Sequence, residues 1–213
     1  MRVYPNFIDY LFLIDSLGEY TSPKSKLTAM IKSKELLKIR RGLFVDPKNL
    51  NINRKSLANK IYGPSYISFE YALSFHGLIP ERVETISSAS MDKNKNKIFK
   101  TPLGVFTYAN ISSTVFPYGI ERHEEAGSPY LIASPEKALC DSLSKIGSIT
   151  SLAGLSSLLF EDLRIEKNDL QNLSLEEISI IAPLYRKKTT DIFLRFMGGI
   201  KNAQCRRIDA CPI

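Results

Sequence analysis

Apolar side chains recur at helical spacing in two short N-terminal stretches and at strand spacing in the stretch that follows. From Pro5 to Leu17, the residues Phe7, Tyr10, Leu11, Ile14 and Leu17 share a stripe, which predicts an amphipathic helix. Gly18 suits the left-handed position that ends it. A second helix is predicted from Ser22-Pro23, a capping hydroxyl followed by a residue whose φ is already helical. Its Leu27, Met30 and Ile31 fall on one face, and Ser25, Thr28, Ala29 and Lys32 on the other. Then Leu37 and Ile39 alternate with Lys38 and Arg40, and Arg41-Gly42 supplies a turn before Leu43-Phe44-Val45. That is a hairpin with charged edges.

A helix with a small, basic outer face, followed by a hairpin tipped with arginine, resembles a winged helix-turn-helix. One of the three helices of a full domain of this kind is missing or reduced, since only five residues separate Gly18 from Lys24. Lys24 to Arg41 holds seven Lys/Arg against Glu35 alone, and the alternative reading is a solvated helix beside a lysine-guarded edge strand.

Beyond a polar linker near 47–54, helices are predicted over Lys55–Ile61 and over Phe69–His76, the latter capped by Ser68 and closed by Gly77. His76 reads as a residue at the negative end of that helix. Val83–Ser90 and Leu103–Ile111 read as a hairpin joined by the charged loop Met91–Lys100, whose Lys93, Lys95 and Lys97 are either solvated or a second phosphate contact. Ile120–Arg122 and Tyr130–Ala133 add short strands around Gly127-Ser128, giving a small mixed or antiparallel sheet. Ser134-Pro135-Glu136-Lys137 starts a helix over 135–145 that buries Ala138, Leu139 and Cys140. Helices follow at Ser151–Leu159, behind the capping box Ser174-x-x-Glu177, and at Thr189–Ile200; residues 202–213 read as a loose tail. The fold expected is α+β, with a winged-helix domain over 1–50 and a body of small sheet and helices over 55–200.

The chain has 213 residues, 44% of them hydrophobic and 24% charged, enough to bury a core. Tyr10–Ile14 is too short to span a bilayer and is flanked by acids, so a cytoplasmic protein without membrane contact is expected. The net charge is +7, and all of the excess lies in residues 1–62, where 12 Lys/Arg meet 5 Asp/Glu. A basic module on a neutral body points to a polyanion, with double-stranded DNA first.

Three scattered cysteines (140, 205, 211) and two histidines (76, 123) give no zinc spacing and no disulfide framework. No acid is followed two positions later by another, and phosphate-loop, nucleophile-elbow and dinucleotide motifs are absent, which disfavours an enzyme; no metal or cofactor is expected. For DNA the candidates are Ser25, Thr28 and Lys32 towards base edges, with Lys24, Lys26, Lys38, Arg40 and Arg41 towards phosphates or a minor groove.

Five ordered segments carry a family resemblance: Leu-Lys-Ile-Arg-Arg-Gly-Leu-Phe-Val (37–45), Ile-Tyr-Gly-Pro-Ser-Tyr-Ile-Ser (61–68), Gly-Leu-Ile-Pro-Glu (77–81), Thr-Pro-Leu-Gly (101–104) and Ala-Ser-Pro-Glu-Lys-Ala-Leu-Cys-Asp (133–141). Together they resemble AbiEi-family antitoxins of type IV toxin–antitoxin and phage-defence systems, over about residues 5–200. The resemblance implies a bacterial repressor of its own operon, with helix 24–32 and wing arginines 40 and 41 on the operator. It further implies a body that counteracts a nucleotidyltransferase toxin without a stable complex. A stand-alone winged-helix regulator with a ligand- or partner-sensing body is the alternative.

Overall fold

The computed structural model describes residues 5–49, 52–93, 95–147 and 149–208, with side chains as far as residue 202. Its architecture is α+β. The first unit is β1 (Ile8–Asp9), α1 (Tyr10–Ser16), α2 (Pro23–Lys32), β2 (Leu37–Arg40) and β3 (Leu43–Val45), with the strands in the antiparallel order β1-β3-β2.

The helix expected from Pro5 therefore starts later. Ile8 pairs with Phe44 as a strand, and Asp9 then caps α1 by accepting from Phe12 N at 2.9 Å. Leu17 is buried as expected, but Leu13 joins it on the buried side, while Leu11, assigned to the core stripe, is 78% exposed. Helix α1 ends at Leu17 with φ −98°, so Gly18 has no left-handed role. Ser22 does not cap α2 either, because its hydroxyl donates to Ser25 Oγ at 2.8 Å, although Pro23 occupies the first turn as expected.

Ile8, Leu13, Leu17, Leu27, Met30, Leu36 and Phe44 form a small core between these helices and the sheet. On β3 the neighbours of Phe44, Leu43 and Val45, point the opposite way and join the main core with Ile39. The hairpin is thus packed on both faces, against its own helices and against the body.

After the 46–53 connection, α3 (Arg54–Ile61) is capped by Asn53, which accepts from Lys55 N (2.7 Å) and Ser56 N (3.2 Å). Strand β4 (Ser65–Ile67), α4 (Phe69–Phe75) and β5 (Ile86–Met91) follow, then β6 (Lys97–Thr101), β7 (Gly104–Ile111), β8 (Ile120–Glu125) and β9 (Ser128–Ala133). The six strands lie in the order β6-β7-β5-β4-β9-β8. Here the expected hairpin between 83–90 and 103–111 is wrong, because β5 and β7 run parallel. The segment taken for a loop supplies β6, which pairs antiparallel with β7 from Thr101↔Gly104 to Lys97↔Tyr108 and carries the chain back between them. Phe99 drives this by packing on the core beside Tyr62 and Tyr108, while the lysines face solvent along the sheet edge.

Helix α5 (Pro135–Lys145) matches its expected bounds, with Ser134 Oγ accepting from Lys137 N at 3.2 Å. It packs against α4 and against the last helices, so that Glu136 to Ser144 are all buried. Those helices are α6 (Leu152–Ser157), running into a π-helical turn over Leu158–Asp162, then α7 (Lys167–Asn172), α8 (Leu175–Ile181) with a 3-10 turn over Ala182–Tyr185, and α9 (Lys188–Ile208). Only half of the capping box forms: Ser174 Oγ accepts from Glu177 N, but Ser174 N donates to Glu136 (2.7 Å) and Glu177 accepts from Ser134 (2.8 Å). The tail reading over 202–213 fails as far as Ile208, since extending an anchored helix adds hydrogen bonds without a new nucleus; residues 209–213 lie outside the described residues. Among the described residues, no helix is long and apolar enough to cross a membrane.

Candidate nucleic-acid interface

Helix α2 is held by Leu27 and Met30, which leaves Lys24, Ser25, Thr28, Ala29 and Lys32 exposed on its outer face. Thr28 Oγ1 donates to the Lys24 carbonyl at 3.0 Å, so its lone pairs remain to accept; Ser25 accepts from Ser22 and keeps a proton to donate. The hairpin turns at Gly42, whose φ of +83° suits a residue without Cβ. Its register slips between Lys38, opposite Phe44, and Arg40, opposite Leu43. Alternation along β2 still sends Ile39 into the core and leaves Lys38 and Arg40 exposed.

Between α2 and the hairpin lies a groove of about 510 Å³. Lys24 and Thr28 line it from the helix, Lys38 and Arg41 from the hairpin, and Tyr10 from α1, over an apolar floor of Leu27, Ile31 and Phe44. No acidic side chain lines it among the described residues. Tyr10 N donates to the Gly42 carbonyl at 3.2 Å, tying α1 to the turn and fixing the groove's width at that end.

Of the eight sequence candidates, the groove gathers Lys24, Thr28, Lys38 and Arg41. Ser25 and Lys32 stay beside it on the outer face of α2. Lys26 instead lies over the Tyr20 ring, 5.2 Å from its centroid. Arg40 donates to the Arg41 carbonyl at 2.9 Å, and its charge reaches the buried Tyr108 of the body, where it partly offsets the upward shift that burial gives the phenol. Tyr10 was missed, having been read as part of an apolar stripe.

A second polar constellation joins two of the sequence segments inside the body. Lys137 and Asp141, one turn apart on α5, are fully buried with Nζ and Oδ1 3.4 Å apart. Lys137 Nζ donates to the Val115 carbonyl (3.0 Å) and Tyr185 Oη (2.9 Å). Asp141 accepts from Tyr66 (2.9 Å), Ser68 (2.6 Å) and Tyr185. Burial lowers the Lys137 pKa, with Asp141 opposing it. Burial first, then the charge of Asp141, pushes Tyr66 and Tyr185 well above the ordinary phenol range. No polar side-chain atom of this network is left without a partner, and Ser68 serves Asp141 rather than capping α4. Sequence reasoning gave Ser-Pro-Glu-Lys only a helix start; the signal it missed is the acid four residues after a lysine in a helix otherwise apolar enough to be buried. His76 follows α4 as expected, but its Nε2 bonds the Ala133 carbonyl at 2.8 Å.

The fold and groove define an α+β protein with a cationic N-terminal cleft. No protein-family model and no curated protein matches this chain. No group of three or more His, Cys, Asp or Glu is placed to hold a metal among the described residues.

Proposed function

We propose that the chain is a DNA-binding antitoxin of the AbiEi kind, which represses its own operon and counteracts a nucleotidyltransferase toxin. The observation that carries the DNA half is the acid-free groove in which Lys24, Thr28, Lys38 and Arg41 converge from a helix and a hairpin. The order β1-α1-α2-β2-β3, with β3 in the middle of the sheet, supports a winged helix-turn-helix in which α2 is the recognition helix and 37–45 the wing. In that reading Thr28, Ser25 and Lys32 meet base edges, and Lys24, Lys38 and Arg41 meet phosphates. Arg40 flanks the contact, and Lys26 is withdrawn from it.

The antitoxin half rests on the five-segment resemblance, and the body, away from the groove, is assigned to it. A mobility shift on the protein's own promoter tests the first half. Lys24→Ala/Lys38→Ala/Arg41→Ala is expected to weaken binding at least a hundredfold, at roughly 1 kcal/mol or more per lost contact; Lys26→Ala is expected to bind as the wild type does. Undiminished binding by the triple variant would remove the groove assignment. Co-expression with a nucleotidyltransferase toxin tests the second half, and the triple variant is expected to lose repression while still rescuing growth.

A further inference from the structure

A second polar cleft lies where the N-terminal unit joins the body. Two depressions, of about 350 and 260 Å³, share Arg54 and Lys55 at the start of α3 and Tyr71 of α4. The combined size is that of a small-molecule site. The backbone amides of α3 are not the attraction, since Asn53 already caps them.

The side chains are held ready. Arg54 donates to the Glu84 carbonyl at 2.9 Å, and a Cβ at Gly104 (φ +120°) would come within 2.5 Å of its Nη2, so the chain reserves space for the guanidinium. Arg54 Nε is buried without an acceptor among the described residues. The Tyr71 hydroxyl likewise has no hydrogen-bond partner among them, while both cations act on it and offset part of the upward shift caused by burial. Lys55 is bound at 2.7 Å to Glu125, which ends β8 with its side chain about half exposed and also accepts from Asn53 at 2.9 Å. Arg82 stands at the rim, and Phe75, 37% exposed, walls the second depression.

We propose that this cleft binds a small phosphorylated molecule, with its phosphoryl oxygens on Arg54, Lys55 and the Tyr71 hydroxyl and its organic part on the Phe75 ring. A doubly charged phosphoryl group competes for these cations with two exposed, singly charged carboxylates, Glu125 on Lys55 and Glu84 on Arg54 (3.7 Å) and Arg82 (2.9 Å), and adds an acceptor for the Tyr71 hydroxyl. The inference is independent of DNA binding and of antitoxicity.

Isothermal titration of the full chain with inorganic phosphate and with adenosine 5′-monophosphate tests it. Both are expected to bind, the nucleotide more tightly because of Phe75. Tyr71→Phe, which removes a hydroxyl with no partner and is expected to keep the wild-type melting temperature, should weaken both roughly tenfold. Glu125→Gln should tighten both, because it removes the competitor for Lys55. Absence of heat at millimolar concentrations of either probe would overturn the proposal, as would unchanged affinity in both variants. Equal affinity for the two probes would overturn the role of Phe75.

Discussion

Replacing Asp141 by Asn preserves shape, so the outcome depends on which buried group loses its partner. In the wild-type core the carboxylate takes three hydroxyl protons and faces Lys137 Nζ at 3.4 Å, with both charged side chains fully buried. A carboxamide cannot balance the ammonium, and its own NH2 meets hydroxyls that were placed to donate. Lys137 is left with the Val115 carbonyl and Tyr185 alone. Stranding a buried charge in this way costs about 3–5 kcal/mol, out of a total stability of about 5–15 kcal/mol. Lys137→Met also leaves a buried charge, but one that keeps three hydroxyl donors, so about 1–3 kcal/mol is expected. At about 2–4 °C per kcal/mol for a chain of this length, Asp141→Asn should lower Tm by roughly 6–20 °C and Lys137→Met by less. Urea unfolding at pH 7 followed by far-ultraviolet circular dichroism reads the difference directly. A loss in Asp141→Asn no larger than in Lys137→Met would refute the account of this network.

Other consequences follow from burial and backbone geometry. Leu13→Ala should cost about 2–5 kcal/mol and Leu11→Ala less than about 0.5 kcal/mol, although both sit on α1, and chemical denaturation of the pair checks the shifted helix phase. Gly119→Ala should destabilise by roughly 1–3 kcal/mol, because φ is +62° and the new Cβ would lie 2.7 Å from Lys137 Cβ; differential scanning calorimetry should show a lower Tm. In alkali, unfolded tyrosines ionise near pH 10 while Tyr66, Tyr108 and Tyr185 stay protonated in the native core. The native state then binds more protons than the unfolded one, so stability is unaffected below pH 10 and falls as pH rises above it. Tyrosinate absorbance should therefore show a fraction that titrates only as the far-ultraviolet signal is lost.

Features carried by local chemistry were legible in the sequence. Pro23 and Ser134-Pro135 mark helix starts through residues within one turn, and Gly42 marks a turn through its own φ. What depended on distant partners was not. Ile8 is a strand residue only because Phe44 lies beside it, and Lys97–Thr101 becomes β6 because β7 receives its backbone and the core receives Phe99. Parallel pairing of β5 with β7 leaves no turn signal between adjacent segments. In the groove, charge and helix phase picked out Lys24, Thr28, Lys38 and Arg41, but the contact that takes up Arg40, a hydrogen bond to the Arg41 carbonyl, has no signature in residue type. The Lys137–Asp141 network was hidden because a lysine and an acid four apart ordinarily mark a solvated helix face.

The central claim, that the N-terminal groove holds DNA through its cations, is tested most directly by the salt dependence of binding to the protein's own promoter. Engagement of about five phosphates predicts that log affinity falls with log salt at a slope of about −4 to −5, and that Lys24→Ala/Lys38→Ala/Arg41→Ala reduces the slope by about 3. A slope near zero, or an unchanged slope in the triple variant, would contradict it.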